Sequence, residues 1–235
     1  MVGCMRQRVW FSVLAAAALA APAHATIVQV TASDSGAYNS AGNHTPQNQN
    51  YITGRADTTE RRSFFVFDLT GISSPVTAAT LNLYNPDISA FLKGYVSPDS
   101  TETLAVFDVS TPISTLSLGG LGIVGAFDDL GSGIPYGSVA VSPADNGQTV
   151  SMAFNSAGIT AINAALGGSI AFGGTLTTLG ASSADEHVFG FSTTSFAGGD
   201  VRNLALTVVP EPSTRALLGL AAGLALSRRY LRRQR

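Results

Sequence analysis

The stretch Arg61-Arg62-Ser63-Phe64-Phe65-Val66-Phe67-Asp68-Leu69 decides the fold of this chain. Side chains that follow one another in a β-strand point to opposite faces of the sheet. Phe64 and Phe65 therefore lie on opposite faces, and Phe67 shares a face with Phe65. The stretch predicts a strand over residues 63–69 whose phenylalanines belong to the core on both faces of its sheet.

Short β-branched or aromatic runs bounded by turn residues recur along the chain, and they predict eight further strands. Polar and apolar residues alternate over residues 80–85, as in a sheet with one solvent-exposed face. Asp145-Asn146-Gly147 is typical of a hairpin turn. The predicted fold is mostly β, an antiparallel β-sandwich of the jelly-roll kind. The eight strands span residues 27–32, 79–84, 104–109, 138–141, 149–154, 169–176, 187–192 and 204–209.

One short helix is predicted between two of these strands. Asn155-Ser156 supplies its cap, and the apolar residues 159, 162, 165 and 166 share one face. Gly167-Gly168 ends it. We expect this helix to cover one open end of the sandwich.

Residues 1–25 have the pattern of a cleavable secretory signal peptide. Arg6 and Arg8 form a basic start, residues 9–21 are apolar, and Ala23 and Ala25 are the small residues of the cleavage site. The apolar run is shorter than the roughly 20 residues that span a bilayer, which argues against an uncleaved anchor helix. We expect signal peptidase to cut after Ala25, which leaves a β-sandwich domain over residues 26–209.

Residues 210–235 form a tail with three features in order: Pro210-Glu211-Pro212, an apolar run over residues 216–226, and a basic cluster. As a helix the apolar run reaches about 17 Å, or about 24 Å if it continues to Leu231, against a hydrocarbon core of about 30 Å. The positive-inside bias keeps the cluster cytoplasmic and the body outside. A permanent short membrane anchor is the alternative to a processed tail. The cluster comprises Arg228, Arg229, Arg232, Arg233 and Arg235.

This tail resembles the PEP-CTERM sorting signal, in which a Pro-Glu-Pro motif, a short transmembrane helix and an arginine cluster follow one another. The resemblance implies recognition by an exosortase, a membrane-embedded cysteine protease, in a Gram-negative bacterium that makes exopolysaccharide. Arg215 departs from the family pattern, since many tails carry an aromatic residue there. The implied route is a transient inner-membrane intermediate, followed by release to the cell surface or the extracellular matrix.

The body resembles a second family at its opening. Residues 61–69, followed by Val76-Thr77-Ala78-Ala79-Thr80-Leu81-Asn82-Leu83, are similar to the first strands of DNRLRE-type wall-associated β-sandwich domains. The strand, short helix and strand around residues 154–172 fit the same pattern. The resemblance implies a jelly roll on a secreted protein, and a fold of this kind does not by itself give an activity.

The charge of the body differs from that of the whole chain. Residues 26–209 contain five basic and 14 acidic residues, a formal net charge of −9, whereas the chain carries −2. This acidity argues against nucleic acid binding, which needs a basic surface. The single cysteine, Cys4, and the single tryptophan, Trp10, both lie in the signal region. The mature domain therefore has no disulfide and no thiol chemistry.

Two patterns that suggest catalysis are outweighed by their context. Residues 120–125 match G-x-G-x-x-G, with Asp145 20 residues beyond, but Gly131, Gly133 and Pro135 predict a glycine-rich loop where a dinucleotide site needs a helix. Ser183, Asp185 and His187 lie close in sequence, yet alternating strand geometry does not make a triad of them. We interpret His187 as a strand-edge residue. No nicotinamide or other cofactor is expected.

Paired carboxylates can hydrolyse glycosides when they flank a cleft. Most acidic residues here fall at predicted strand ends or in loops, and Asp68 and Asp108 are interpreted as turn or edge residues. We therefore predict that the protein is not an enzyme, with a secreted polysaccharide hydrolase as the alternative. The candidate carboxylates are Glu60, Asp68, Glu102, Asp108, Asp128, Asp129, Asp185 and Glu186.

Two kinds of binding fit the composition. Asp128-Asp129, or Asp57 with Glu60, offer oxygen ligands for a structural calcium ion, although no Asp-x-Asp-x-Asp loop is present and no metal ligand is assigned. Sugars stack on exposed aromatic rings, and four tyrosines lie in polar, turn-rich surroundings. The alternative is that they cover core edges. These tyrosines are Tyr38, Tyr51, Tyr95 and Tyr136.

Three functions follow in order of preference. The first is a non-catalytic surface or matrix protein that is structural or adhesive in an exopolysaccharide layer. The second is a carbohydrate-binding module, and the third is a secreted hydrolase. The expected partners are signal peptidase, exosortase and exopolysaccharide.

The tail yields a prediction about processing. Because exosortase would cut near Pro210–Pro212, the exported protein should lack the arginine cluster. Intact-mass measurement of the exported form checks this. A mass that still includes residues 216–235 would contradict processing and would favour the permanent anchor.

Overall fold

Ten strands form one antiparallel sheet in the computed structural model of the chain, and the sheet nearly closes into a barrel. The structure describes residues 24–87, 93–181, 183–190 and 202–209. The unit that carries the sheet runs from Ile27 to Val208. Residues 1–23 of the predicted signal peptide, which runs to Ala25, lie outside the described residues, and so does the predicted sorting tail, residues 210–235. No helix in the described ranges is both long and apolar enough to cross a membrane.

The strands follow the order β6-β5-β8-β3-β1-β10-β4-β7, and β2 pairs with both β3 and β9 at the side of this path. All nine predicted strands have a counterpart, which confirms the mostly-β prediction. The bounds are β1 Thr26–Asn39, β2 Thr53–Ala56, β3 Thr59–Asp68, β4 Val76–Asn85, β5 Glu102–Asp108, β6 Pro135–Val141, β7 Gln148–Ala153, β8 Ser169–Leu176, β9 Glu186–Val188 and β10 Arg202–Val208.

The two end strands of this order, β6 and β7, approach each other and nearly close the barrel. The backbone N–H of Asn155, just after β7, donates to the carbonyl of Tyr136 in β6 at 2.7 Å. A Cβ at Gly137 would lie 2.7 Å from the carbonyl oxygen of Ala153, so the two strands fit together because residue 137 has no side chain. The sheet therefore wraps around one interior.

The phenylalanines of β3 lie in the core on both faces of the sheet, as predicted. Phe65 and Phe67 belong to the large core inside the barrel. Phe64 and Val66 belong to a smaller outer core. The outer core is covered by residues 109–134, which we call the flap. Leu116 and Phe127 of the flap pack in this outer core.

Helix α3, Ser156–Ala164, confirms the predicted short helix. The Asn155 side chain accepts a hydrogen bond from the N–H of Gly158 at 3.0 Å, and Ile162 is buried. The expectation of a single helix was wrong, however, because the flap contains two more. These are α1, Ile113–Leu118, and α2, Val124–Asp129. Their N-cap positions are held by Pro112 and Ile123, which have no side-chain oxygen, so the capping signal that marks α3 is missing.

The predicted hairpin at residues 145–147 was also wrong. Its residues do form a turn after a 3-10 helix, Pro143–Asp145, but β6 pairs with β5 while β7 pairs with β4. The Asn146 side-chain oxygen accepts from the Asn85 side chain at 2.9 Å and from the N–H of Tyr95 at 2.8 Å. The turn is therefore anchored to the end of β4 and does not close a two-stranded ladder.

Two strand segments were not predicted, and one prediction extends beyond the described residues. The strand β1 continues to Asn39, and β2 contains Gly54 and no apolar alternation. In β9 the strand ends at Val188, and residues 191–192 of the predicted strand lie outside the described residues.

We predict that truncating either face of β3 destabilises the domain severely. Phe64→Ala and Phe65→Ala each remove a fully buried ring, one from each core, and each should lower the free energy of unfolding by about 3–5 kcal/mol. Chemical denaturation measures the loss.

The matched control is Phe107→Ala, since Phe107 is only partly buried in β5. It should cost distinctly less. A small effect for Phe64→Ala beside a large one for Phe65→Ala would mean that the outer core adds little stability.

Candidate functional site

The two aspartates at strand ends hold turns, as predicted. The Asp68 carboxylate accepts a hydrogen bond from the N–H of Thr70 at 2.9 Å, and this bond lowers the pKa of Asp68. The Asp108 carboxylate accepts from the N–H of Ile134 at 2.5 Å. Asp68 therefore fixes the backbone that follows its strand, and Asp108 fixes the end of the flap beside its strand.

Asp129 anchors the end of α2 to the start of the flap. Its two carboxylate oxygens accept from the N–H and hydroxyl of Ser110, at 3.0 and 2.8 Å, and from those of Thr111, both at 2.7 Å. Burial raises the pKa of Asp129, but the four hydrogen bonds outweigh it and the pKa lies below its ordinary value. This carboxylate is committed to the fold of the flap, while the neighbouring Asp128 side chain is exposed.

The second pair of proposed calcium ligands faces cations. Asp57 Oδ2 lies 3.9 Å from Lys93 Nζ, and Glu60 Oε1 accepts from Arg62 Nε at 3.2 Å. Within the described residues, no group of three or more His, Cys, Asp or Glu side chains is placed to hold a metal ion. A structural calcium ion is therefore not assigned to any residue.

Two of the candidate carboxylates are buried and fasten loops to strands. Glu102 accepts from the Ser97 hydroxyl at 2.6 Å and from the Thr178 hydroxyl. Glu186 accepts from the N–H of Gly180 at 2.6 Å, and its Oε1 lies 3.6 Å from Arg55 Nη1. Glutamate is rarely buried unless it has partners. The sequence does not show which glutamates have them, so these two could not be told apart from the exposed acidic residues.

His187, Asp185 and Ser183 are not arranged as a triad. Asp185 accepts from the N–H of Asp57 at 3.0 Å, whereas His187 Nδ1 lies 3.2 Å from the carbonyl of Gly94. His187 lies on the peripheral strand β9, as predicted, but it is 2 % exposed. Burial lowers the pKa of His187, against smaller opposing contributions from Gly94 and Asp185. We infer a neutral, structural imidazole.

His44 joins the outer core to the flap. Its ring lies 5.1 Å from the centroids of both Tyr38 and Phe64, and its Nδ1 lies 3.1 Å from the carbonyl of Ala37. Its backbone exchanges two hydrogen bonds with Gly120, at 3.0 and 2.9 Å. Burial lowers the pKa of His44. The second histidine of the described core is thus also a packing residue.

The four tyrosines considered as sugar platforms are buried, which corrects that interpretation. Their rings lie in the cores, and three hydroxyls donate to backbone carbonyls: Tyr38 to Thr115 at 2.9 Å, Tyr51 to Tyr84 at 2.7 Å and Tyr95 to Asp99 at 2.7 Å. Polar neighbours in the sequence suggested exposure, but a ring can enter a core when its hydroxyl finds a partner. The exposed fractions are 0 % for Tyr38 and Tyr51, 2 % for Tyr95 and 6 % for Tyr136.

The glycine-rich stretch 120–125 lies between two short helices. Contrary to the predicted loop, a helix does begin within it, at Val124, but α2 ends at Asp129. The element before it is α1, where a dinucleotide site has a strand. The stretch is therefore the turn of the flap.

A polar hollow of about 400 Å³ opens where the flap leaves β5. It is lined by Asp108, Ser110, Thr111, Tyr136 and Ser169 among others, and the Ser110 and Thr111 hydroxyls donate to Asp129. Because these two hydroxyls are used as donors within the flap, the hollow offers a small polar ligand mainly acceptor oxygens and the exposed Ser169, without an exposed ring for stacking.

A scan against protein-family models finds no family that matches this chain. A comparison with curated proteins likewise finds no significant match.

The two buried histidines predict that stability falls with acidification. Their pKa values are lower in the folded than in the unfolded state, so the unfolded chain binds protons first as the pH drops through about 6.5. The unfolding free energy should therefore decrease between pH 7.5 and pH 5.5, above the range in which Asp68 and Asp129 titrate.

Urea unfolding of the wild type and of the double variant His44→Gln, His187→Gln checks this. The variant should start less stable but show a flatter pH dependence. An equal slope in both proteins would show that other groups dominate.

Proposed function

We propose that this is an exported, exosortase-sorted protein of the cell surface or extracellular matrix, whose jelly-roll-like β body has a structural or adhesive role in an exopolysaccharide layer. Its parts are the signal peptide, residues 1–25, the β domain, residues 26–209, and the PEP-CTERM tail, residues 210–235. The tail motif supports the destination. The hydrogen bonding of polar side chains in the body supports the structural role.

One observation carries the proposal of a structural role. The polar side chains that sequence patterns suggested for catalysis hold the fold together: Asp108 and Asp129 fix the flap, and Glu102 and Glu186 fasten loops. A general acid or base must reach its substrate, and groups saturated by backbone and hydroxyl donors are poorly placed for this. Such an arrangement is typical of a domain built for stability.

Carbohydrate binding is the second candidate, and the polar hollow beside Asp108 is the observation that favours it. Because the described tyrosines are buried, binding there would rest on hydrogen bonds to sugar hydroxyls and would be weak without a stacking ring. A secreted hydrolase is the third candidate, and it would require carboxylates facing a cleft.

We predict that function follows the stability of the body and not any one polar group. Cells lacking the protein should form a polymer layer of lower shear resistance. Asp128→Asn and Asp185→Asn should restore it, because Asp128 is exposed and an asparagine at position 185 keeps the oxygen that accepts from the N–H of Asp57, whereas the destabilised Phe65→Ala should not. Rheology of the layer measures the effect.

Two further readouts separate the alternatives. Purified residues 26–209 should release no new reducing ends from cell-free exopolysaccharide, and their appearance would point to the hydrolase. Retention of this fragment in affinity electrophoresis, abolished by Ser169→Trp in the hollow, would favour a carbohydrate-binding module. A polar substitution that leaves stability intact but abolishes cohesion would contradict the structural role.

A further inference from the structure

Three apolar side chains are exposed close together at the turn of the flap. Leu118 is 71 % exposed, Leu121 86 % and Val124 44 %. Single exposed apolar residues are ordinary on a protein surface, whereas three within seven residues concentrate apolar side chains at one turn, and exposed apolar surface of this kind is typical of interaction sites. We call residues 118–124 the flap tip.

The fold holds the flap tip in this exposed conformation. The N–H of Gly122 donates to the Asn43 side chain at 2.9 Å, and the N–H of Ile123 donates to the carbonyl of Gly42 at 2.8 Å. Gly120 and Gly122 have φ of +144° and +75°, which favour glycine and set the turn around Leu121. Turning Leu121 inward would break these contacts, so its exposure is built into the backbone.

The flap tip also lacks charge. Residues 109–127 contain no Asp, Glu, Lys, Arg or His, although the body as a whole carries −9. The tip can therefore enter an apolar phase without desolvating a charged group, which is the largest cost of such a transfer.

The size of the patch distinguishes between possible partners. A stable protein interface takes about 20–30 residues from each side, far more than this short turn supplies. A second copy would also bring a second body of charge −9. A bilayer needs no complementary pocket, because its headgroup region accepts a few apolar side chains to a depth of about 5–10 Å.

We propose that the flap tip is a lipid-docking element that inserts Leu118, Leu121 and Val124 into the surface of a phospholipid bilayer. Three side chains give weak, reversible attachment. The inference rests on the described residues of the flap, and it stands independently of the proposed matrix role.

A fluorescent reporter tests the contact between the flap tip and the bilayer in the full chain. Because the reporter senses only its own surroundings, binding of the tail to the vesicles does not mimic this contact. In a Trp10→Phe background, which removes the native tryptophan, Leu121→Trp places a reporter on the tip. Ser100→Trp is the matched control, because Ser100 is exposed and follows Asp99 in an acidic loop. Both proteins are mixed with vesicles of phosphatidylcholine and phosphatidylglycerol, with and without brominated acyl chains, and recovery with the vesicles is checked by flotation.

We expect a blue shift and quenching by brominated lipid for the Leu121→Trp reporter, and neither for the control. Adding Leu118→Ser and Val124→Ser should abolish both signals.

Two outcomes would overturn the proposal. One is a Leu121→Trp reporter with neither a blue shift nor quenching. This counts whether the protein floats with the vesicles by another contact or does not float at all. The other is a blue shift that rises with protein concentration without lipid, which would identify the tip as a contact between copies.

Discussion

Burial of β3 on both faces is the constraint on which the rest of the structure depends. Four consecutive apolar side chains, Phe64 to Phe67, leave neither face of this strand free for water. The barrel interior covers Phe65 and Phe67, and the same sheet cannot cover Phe64 and Val66. A second layer is therefore required outside the barrel, and the flap between β5 and β6 supplies it.

Several polar residues of the domain hold that layer in place. Helices as short as α1 and α2 are marginal by themselves, so tertiary contacts must stabilise them. The Tyr38 hydroxyl donates to the carbonyl of Thr115, and the Arg62 guanidinium lies 4.2 Å from the centroid of the Phe127 ring. Asp129 ties the end of α2 to Ser110 and Thr111. Asp129, one of the carboxylates considered for catalysis, is thus an anchor of the flap.

How much the sequence predicts depends on whether the deciding signal is local. The β3 strand and the capped helix α3 could be predicted, because alternation and the Asn155 cap act within a few residues. The flap helices could not, since neither has a side-chain cap, and the cluster in which Leu116 and Phe127 are buried includes Phe64, more than 50 residues earlier. The same limit applies to the tyrosines: their neighbours in sequence are polar, and the carbonyls that accept from their hydroxyls lie up to 78 residues away.

The contacts of the basic side chains determine the charge that the surface of this body presents. Its five basic side chains are engaged within the domain: Arg55 lies beside Glu186, Arg62 beside Glu60 and Lys93 beside Asp57. Arg61 donates to the carbonyl of Ala56, and Arg202 is buried against Ser35. Among the acidic residues that the structure describes, only Asp57, Glu60 and Glu186 lie in these ion pairs, so the field outside the domain is negative within a Debye length of about 8 Å. This field favours neutral or cationic ligands, and it disfavours an anionic polymer unless divalent ions bridge the two.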